Sequence, residues 1–414
     1  MSRAKDWIGL SRAGLGDAGQ RNALLVSLSQ GLVAFSMHFV SIFVPFYVFK
    51  ISPYGTKETL MWIGVILGTS GICTALTSPI WGSLSHRFSA KALYLRSMAA
   101  HSIIFFCIAF TTNIHLLFLL KALQGIFGGA STIGLILVSS SSTKEKIPAN
   151  LGMFQSWLTM GQLLGPPLGT FAAAILGYKA AFLSGSALLF ITFLFCVLFV
   201  TDTPRARHEE KAQPVATSRW SLDSRILIGW FVCFIIQIQL MFLPSVLPTL
   251  LDTFGVHGAP ALKMAGIVVM CYTAASVFST YTWGRLVGKF GLFKLLTFLL
   301  LMGVLFQSLL AFTTDVLNFT VIRMIQTGFV AAIIPLIIAI FAREQRGGII
   351  GFMNASRFTG NAVGPFLATW LFAFADFQTL CLLIALFTAF AFVGFRTVFR
   401  TDPFMARMTK GSDP

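Results

Sequence analysis

Charged side chains are scarce in this sequence. Only 11% of its 414 residues are Asp, Glu, Lys or Arg, against about 25% in soluble domains, and 56% are hydrophobic. Soluble enzymes and disordered chains are therefore excluded. The charges that remain are mostly basic, but nucleic-acid binding needs solvated basic faces, which a mean hydropathy of +0.82 does not leave. The composition indicates an integral membrane protein.

Several chemical signatures are also missing. The phosphate-binding pattern Gly-x-x-x-x-Gly-Lys-Ser/Thr is absent, so ATP is not expected to be the energy source. The six cysteines show no metal-ligand spacing, and we expect no metal and no cofactor. An intramembrane enzyme or sensor is the alternative class, but it would need paired acids, a Ser/His dyad or His-x-x-x-His, none of which occurs. No cleavable signal sequence is expected, because the first 22 residues are polar and the first apolar run is too long.

Long apolar stretches are what the sequence does contain. A helix needs about 20 apolar residues to cross the bilayer core, and twelve stretches meet that requirement. The sequence therefore predicts an all-α membrane protein with twelve transmembrane helices. The predicted spans are residues 23–49, 60–84, 92–111, 114–139, 151–176, 180–200, 225–251, 262–284, 293–312, 316–341, 348–374 and 378–396.

The distribution of charge predicts the orientation. With the N-terminus in the cytoplasm, 23 of the 30 Lys and Arg residues lie on the cytoplasmic side and four outside. Both termini are therefore predicted to be cytoplasmic, in a bacterial inner (plasma) membrane. All 14 Asp and Glu residues fall in loops or at span ends, so no carboxylate is expected in the middle of a helix.

The chain is predicted to be a repeat of two six-helix halves. The longest polar stretch, residues 201–224, forms a cytoplasmic linker between residues 23–200 and 225–396, with tails at 1–22 and 397–414. Motifs recur in the same order in both halves, which is typical of transporters built from parallel repeats. The matched motifs are Phe43-x-Pro45 and Phe242-x-Pro244, Trp81-Gly82 and Trp283-Gly284, Lys121-x-x-Gln124 and Arg323-x-x-Gln326, and Gly161-x-x-x-Gly165-Pro166 and Gly360-x-x-x-Gly364-Pro365.

These motifs resemble those of the major facilitator superfamily, and within it the twelve-helix exporters similar to drug:proton antiporters. The stretch from Gly82 to Lys91 resembles the family's motif between helices 2 and 3, with His86 where the family has Asp. The glycines from Gly161 to Gly169 resemble the helix 5 motif associated with antiporters.

The resemblance implies a transporter that works by alternating access of two halves. The expected partners are a small-molecule substrate, a proton gradient and the lipid bilayer, with no nucleic acid, and the chain is expected to be a monomer. Export of a metabolite, siderophore or drug is expected. Import of an anionic metabolite or carboxylate siderophore is the alternative.

Two sets of residues are candidates for gating. Small residues at four-residue spacing let helices approach closely in lipid, and the resemblance places the helix 5 set against the eighth span. Generic close packing is the alternative. The basic loop between the second and third spans is either a latch that closes against helix ends of the other half or a topology signal. The candidate gating residues are Gly82, His86, Arg87, Lys91, Gly161, Gly165, Pro166, Gly169, Gly360, Gly364 and Pro365.

Three cations lie inside predicted spans, where charge is costly and usually faces a cavity or a partner. Lys121 and Arg323 occupy matched positions, whereas Arg357 corresponds to Leu158 in the other half. A role in binding or proton coupling is one interpretation. Bonding to helix carbonyls or snorkelling outward is the alternative for the matched pair. Cations without buried acids favour an anionic or neutral polar substrate over a lipophilic cation.

Proton coupling would need a titratable group within the spans. His38 lies in the middle of the first span, at the position matched by Gln237, and its ordinary pKa lies near neutral pH. His101 lies in the third span and is interpreted as structural. The residues predicted to bind substrate or couple protons are His38, Lys121, Arg323, Arg357, Gln30, Gln155, Gln237, Asn354 and Asn361.

Overall fold

The structure, a computed structural model, describes residues 18–85, 87–143, 146–202, 223–342 and 347–400. Every regular element in these ranges is a helix, as predicted. In chain order the helices are α1 (Ala18–Ser41), α2 (Val44–Ile51), α3 (Thr56–Leu84), α4 (Ala90–Ala109), α5 (Ile114–Ile126), α6 (Ala130–Ser140), α7 (Ile147–Phe199), α8 (Ser224–Met241), α9 (Leu243–Thr253), α10 (Gly258–Phe290), α11 (Leu292–Leu310), α12 (Val316–Val330), α13 (Ile333–Ala342), α14 (Gly347–Phe374) and α15 (Phe377–Phe399).

These helices account for the twelve predicted spans. Ten stretches of the described chain are long and apolar enough to cross a membrane. One of them lies in α7, whose 53 residues would extend about 80 Å, too long for a single crossing. Gly177 divides α7, because its φ of 81° and ψ of 162° are not helical. With α14 as the eleventh span, the total is twelve.

Four spans are each built from two consecutive helices. They are the first (α1, α2), fourth (α5, α6), seventh (α8, α9) and tenth (α12, α13), which are matched positions in the predicted repeat. In the fourth span the break lies at Gly129, whose φ of 98° favours glycine. Side chains of neighbouring helices satisfy the carbonyls freed there: Trp81 Nε1 donates to Ile126 O (2.8 Å), and Arg96 donates to Gly128 O (3.1 Å). The break is thus a stabilised feature of the fold.

The chain forms two compact units. The first contains residues 1–44 and 73–209, and the second contains residues 45–72 and 210–414. Residues 45–72 therefore group with the second unit, although the sequence repeat assigns them to the first half. Within the second unit, the second span packs closely on the eleventh. A Cβ atom on Gly71 would lie 2.9 Å from Ala362 Cα, and one on Gly68 would lie 3.0 Å from Ala362 O.

Matched positions of the repeat make matched contacts. Trp81 Nε1 donates to Ile126 O at 2.8 Å, and Trp283 Nε1 donates to Gly328 O at 2.9 Å. Lys121 donates to the Oε1 atom of the glutamine three residues later at 2.8 Å, and Arg323 does the same at 2.8 Å. The predicted correspondence between the halves therefore extends to individual hydrogen bonds.

The glycine face of the fifth span contacts the first span, so the predicted contact with the eighth span is wrong. A Cβ atom on Gly165 would lie 2.7 Å from Phe35 O, and Gly161 and Gly169 also face the first-span backbone. In the second unit, a Cβ atom on Gly360 would lie 2.7 Å from Gln237 Cβ in the seventh span. Four-residue glycine spacing predicts a close approach, but it does not identify the neighbouring helix.

The prolines that follow these glycines do not interrupt their helices. Pro166 lies inside α7 and Pro365 inside α14. The carbonyl of each accepts a hydrogen bond from a threonine hydroxyl four residues later, from Thr170 (3.2 Å) and from Thr369 (3.0 Å). The proline and threonine contacts are thus a further matched feature of the repeat.

Candidate functional site

Arg357 is an exposed cation in the interior of a membrane-spanning helix. It lies ten residues after the start of α14, about 15 Å along the helix axis. Its guanidinium makes no hydrogen bond or ion pair with any side chain that the structure describes. A charge at this depth is costly unless it faces water, a polar partner or a polar ligand.

A polar flank of the eleventh span surrounds this cation. Asn361 follows Arg357 by one turn, so both lie on the same face, and both are exposed. The Asn361 Oδ1 atom accepts a hydrogen bond from Gln237 Nε2 of the seventh span at 2.7 Å. The exposed aromatic Trp370 lies nine residues, about two and a half turns, beyond Asn361, which places it on the opposite face. The eleventh span is therefore amphipathic, with Arg357 on its polar side.

The first unit has a weaker version of this flank. Gln155 is exposed on the fifth span, at the position matched by Asn354, and Gln162 is half-buried at the position matched by Asn361. His38 is half-buried on the first span. Its Nδ1 atom lies 2.9 Å from Ala34 O. Since a carbonyl oxygen can only accept, Nδ1 is the donor, and in the neutral ring Nε2 is then the acceptor.

The predicted cation Lys121 is buried rather than accessible. Its side chain is 2% exposed, and Nζ donates to Gln124 Oε1 at 2.8 Å. The Gln124 amide nitrogen in turn contacts Met37 Sδ at 3.4 Å. In the conformation described, Lys121 therefore meets polar protein groups and no solvent.

Arg323, its partner in the repeat, is also buried. Its side chain is 0% exposed and donates to Gln326 Oε1 (2.8 Å) and to the carbonyls of Gln239 (2.9 Å) and Leu240 (3.4 Å). The structure thus matches the alternative in which this charge is bonded to helix carbonyls. Among the three predicted intramembrane cations, only Arg357 is exposed.

A family model assigns the fold that these contacts describe. The model of the major facilitator superfamily matches residues 26–325 and 229–413, which together cover most of the chain. The chain belongs to the major facilitator superfamily. It is therefore a multi-pass membrane transporter and not an enzyme, as the sequence motifs predicted.

Relatives of this transporter include bacterial efflux proteins. The multi-drug resistance efflux pump PmrA of Streptococcus pneumoniae serotype 4 is 26% identical over 379 residues, covering 89% of this chain and 94% of PmrA. The multidrug resistance protein MdtG of Klebsiella pneumoniae is 26% identical, covering 85% of this chain and 86% of MdtG. The crystal structure of the nucleoside transporter NupG shares the fold, with a TM-score of 0.73 and 16% identity over 92% of this chain and 100% of NupG.

The basic motif after the second span makes a contact inside its own unit. Lys91 Nζ donates at 2.9 Å to the carbonyl of Val197, near the C-terminal end of the sixth span. A helix C-terminus, which carries a partial negative charge, was the predicted kind of partner for this motif. The predicted partner belonged to the other half, however, whereas Val197 lies in the same half as Lys91. Arg87 is exposed, and Gly82 has ordinary contact distances. His86 lies outside the described residues, as does the side chain of Asn354.

The described acids of the transporter lie at span ends, as predicted. Asp223, Asp315 and Asp376 each cap the N-terminus of a helix by accepting backbone N–H bonds. Hydrogen bonds from the hydroxyl and the backbone N–H of Thr379 hold the pKa of Asp376 below its ordinary value. These carboxylates serve the helix ends and do not approach the polar flank around Arg357.

Sequence reasoning missed several buried polar partners. Gln30 was predicted to line a cavity, but it is 1% exposed and bonds to Ser131 Oγ (2.9 Å) and Tyr94 OH (3.2 Å). Gln307 and Thr388, on the ninth and twelfth spans, join the network around Arg323. A lone glutamine inside a leucine-rich span was the available signal for Gln307.

Proposed function

We propose that this transporter exports a small organic anion or neutral polar molecule in exchange for protons. The observation that carries the substrate class is the exposed Arg357 with Asn361 and Gln237 on the polar flank of the second unit. A guanidinium offers five N–H donors in a planar fork, which suits bidentate contact with a carboxylate. Efflux as the direction is supported by the relatives PmrA and MdtG.

The arrangement of acids argues against a lipophilic cation as substrate. A buried carboxylate would attract such a molecule, but no acid that the structure describes lies beyond the first or last turn of a span. Two of the three cations inside spans, Arg323 and Arg357, give the second unit a positive potential. Carboxylate metabolites, carboxylate siderophores and acidic drugs share the complementary charge.

His38 is our proposed proton carrier. It is half-buried, whereas His101 is 6% exposed and donates through Nδ1 to Ser97 O at 2.5 Å. Because His38 Nδ1 is occupied by Ala34 O, the Nε2 atom can take up and release a proton. We place the protein in a bacterial inner membrane with both termini cytoplasmic, on the basis of the cation distribution.

Vesicle orientation tests the direction of transport. Everted membrane vesicles from an expressing bacterium, energised to acidify their interior, are expected to accumulate carboxyfluorescein, a fluorescent carboxylate, and to lose it when a protonophore is added. Right-side-out vesicles should not concentrate the dye. Accumulation in right-side-out vesicles alone would indicate import, and transport of the cation ethidium without carboxyfluorescein would contradict the anion assignment.

The His38→Asn variant tests proton coupling. Asparagine keeps a donor for Ala34 O but cannot carry a proton, so concentrative uptake of carboxyfluorescein is expected to be lost while dye exchange across the membrane continues. Both are measured in proteoliposomes with and without a pH gradient. The control is His115→Asn, an exposed histidine at the start of the fourth span, which should keep both activities. Gradient-driven uptake by His38→Asn would exclude His38 as the carrier.

A further inference from the structure

A closed polar cluster surrounds Arg323 in the second unit. It joins the seventh, ninth, tenth and twelfth spans through side chains that are all 0% exposed. No acidic residue of the described chain belongs to it. Its members are Arg323, Gln326, Gln239, Gln307 and Thr388.

Each side-chain oxygen of this cluster already accepts at least one hydrogen bond. Gln326 Oε1 accepts from Arg323 NH1 (2.8 Å) and from the Thr327 hydroxyl (3.2 Å). Gln326 Nε2 donates to Gln239 Oε1 (2.8 Å) and to Gln307 Oε1 (3.2 Å). The central glutamine therefore has both lone pairs of its oxygen and both of its N–H groups engaged.

Two nitrogen donors are left over. Arg323 Nε and Gln307 Nε2 are buried and donate to no group of the described chain. Buried donors are nearly always satisfied in native proteins, so two in one cluster require an explanation. Both of these unpaired groups are donors, and one of them belongs to the positively charged Arg323.

The remaining neighbours of Arg323 do not neutralise it. The rings of Phe242 and Tyr272 lie 5.0 Å from its guanidinium carbon and stabilise the charge through their faces. The ionisable groups that face it are Tyr272 and Cys381, which are both neutral in their ordinary state at pH 7. A full positive charge is therefore buried in this cluster with no counter-ion among the residues that the structure describes.

We propose that this cluster binds a monatomic inorganic anion, chloride under cellular conditions, held by Arg323 Nε and Gln307 Nε2. An anion supplies the acceptor that both nitrogens need and balances the buried charge. Because every member of the cluster is fully buried, the site favours a small anion over a polyatomic organic one. The site is thus separate from the exposed Arg357 and does not depend on the transported substrate.

Thermal unfolding of the purified full-length transporter tests the site. In detergent at constant ionic strength, replacing sodium gluconate by sodium chloride is expected to raise the melting temperature by roughly 2 °C in a saturable way, because a ligand that binds only the folded state stabilises it. Bromide should act like chloride, and its anomalous X-ray scattering in a crystal should place it beside Arg323 and Gln307.

Substitutions at Gln307 separate the site from general salt effects. Gln307→Met should abolish the chloride shift. Gln307→Glu supplies a carboxylate beside the guanidinium, so it should match or exceed the stability of the wild type in gluconate and show no chloride response. Gln124→Met, at the position matched by Gln326, should keep the chloride shift.

Three results would overturn the proposal. They are equal melting temperatures in chloride and gluconate, a chloride shift that persists in both Gln307 variants, and bromide located elsewhere. None of these outcomes bears on the proposed export of organic anions, which the vesicle assay tests by itself.

Discussion

Replacing Gly165 by valine is expected to separate the first and fifth spans and to reduce the yield of folded protein sharply. A Cβ atom at this position would lie 2.7 Å from Phe35 O and 2.8 Å from Phe39 N. Both are backbone atoms of a continuous helix and cannot move aside individually. Overpacking a well-packed interior by a few carbons costs about 1–3 kcal/mol. Because the clash at Gly165 is with backbone atoms, we expect its cost to lie in the upper part of that range.

A control variant is available in the same helix. Gly152 also lies in α7, but a Cβ atom there meets nothing within 4 Å, so Gly152→Val changes helix propensity without a clash. The measurement is the monodisperse fraction on size-exclusion chromatography, together with the melting temperature in detergent. We expect a large loss for Gly165→Val and little for Gly152→Val.

The repeat allows a graded version of this experiment. At Gly364, the matched position in the eleventh span, the nearest atom to a built Cβ is Ile238 Cα at 3.6 Å, an ordinary contact. Gly364→Val should therefore destabilise less than Gly165→Val. Equal losses at positions 152, 165 and 364 would show that the cost comes from helix propensity and that the close approach contributes nothing.

Much of the fold could be predicted because membrane helices leave strong patterns. Apolar length alone located the spans, since each must cover the same hydrocarbon thickness. Motif spacing aligned the halves well enough that Trp81 and Trp283 make equivalent hydrogen bonds in the structure. Breaks within spans were not foreseen, because an apolar run does not distinguish a continuous helix from two short ones.

The candidate site could be predicted only in part. The three cations inside spans were evident, but hydropathy does not show whether a cation meets water or helix carbonyls. Lys121 and Arg323 proved to be buried, whereas Arg357 is exposed. Apart from Gln326 on its own span, the residues of the Arg323 cluster come from three spans that are distant in sequence, so no local pattern connects them. The prediction of which helix packs on the glycine face was wrong for the same reason, because the first and fifth spans are far apart in sequence.

Arg357→Gln is expected to have the largest effect on transport of an anionic substrate. Glutamine keeps hydrogen-bonding capacity on the polar flank but removes the charge, which in a charge-assisted contact contributes about 1.5–3 kcal/mol. Because 1.4 kcal/mol corresponds to a factor of ten, the KM for carboxyfluorescein should rise by roughly 10- to 100-fold. Initial rates of gradient-driven uptake in proteoliposomes measure it. Folding should be unaffected, since Arg357 has no bond to a described side chain.

Two further variants distinguish a substrate contact from a general effect of charge. Arg357→Lys keeps the charge but loses the planar fork, so it should fall between wild type and Arg357→Gln. The double variant Leu158→Arg, Arg357→Leu moves the cation to the matched position of the fifth span and keeps the net charge constant. If a diffuse positive potential were sufficient, this double variant would transport carboxyfluorescein normally. If Arg357 binds the anion together with Asn361, the double variant should have a KM for carboxyfluorescein as high as that of Arg357→Gln. An unchanged KM in Arg357→Gln would remove the basis for assigning an anionic substrate.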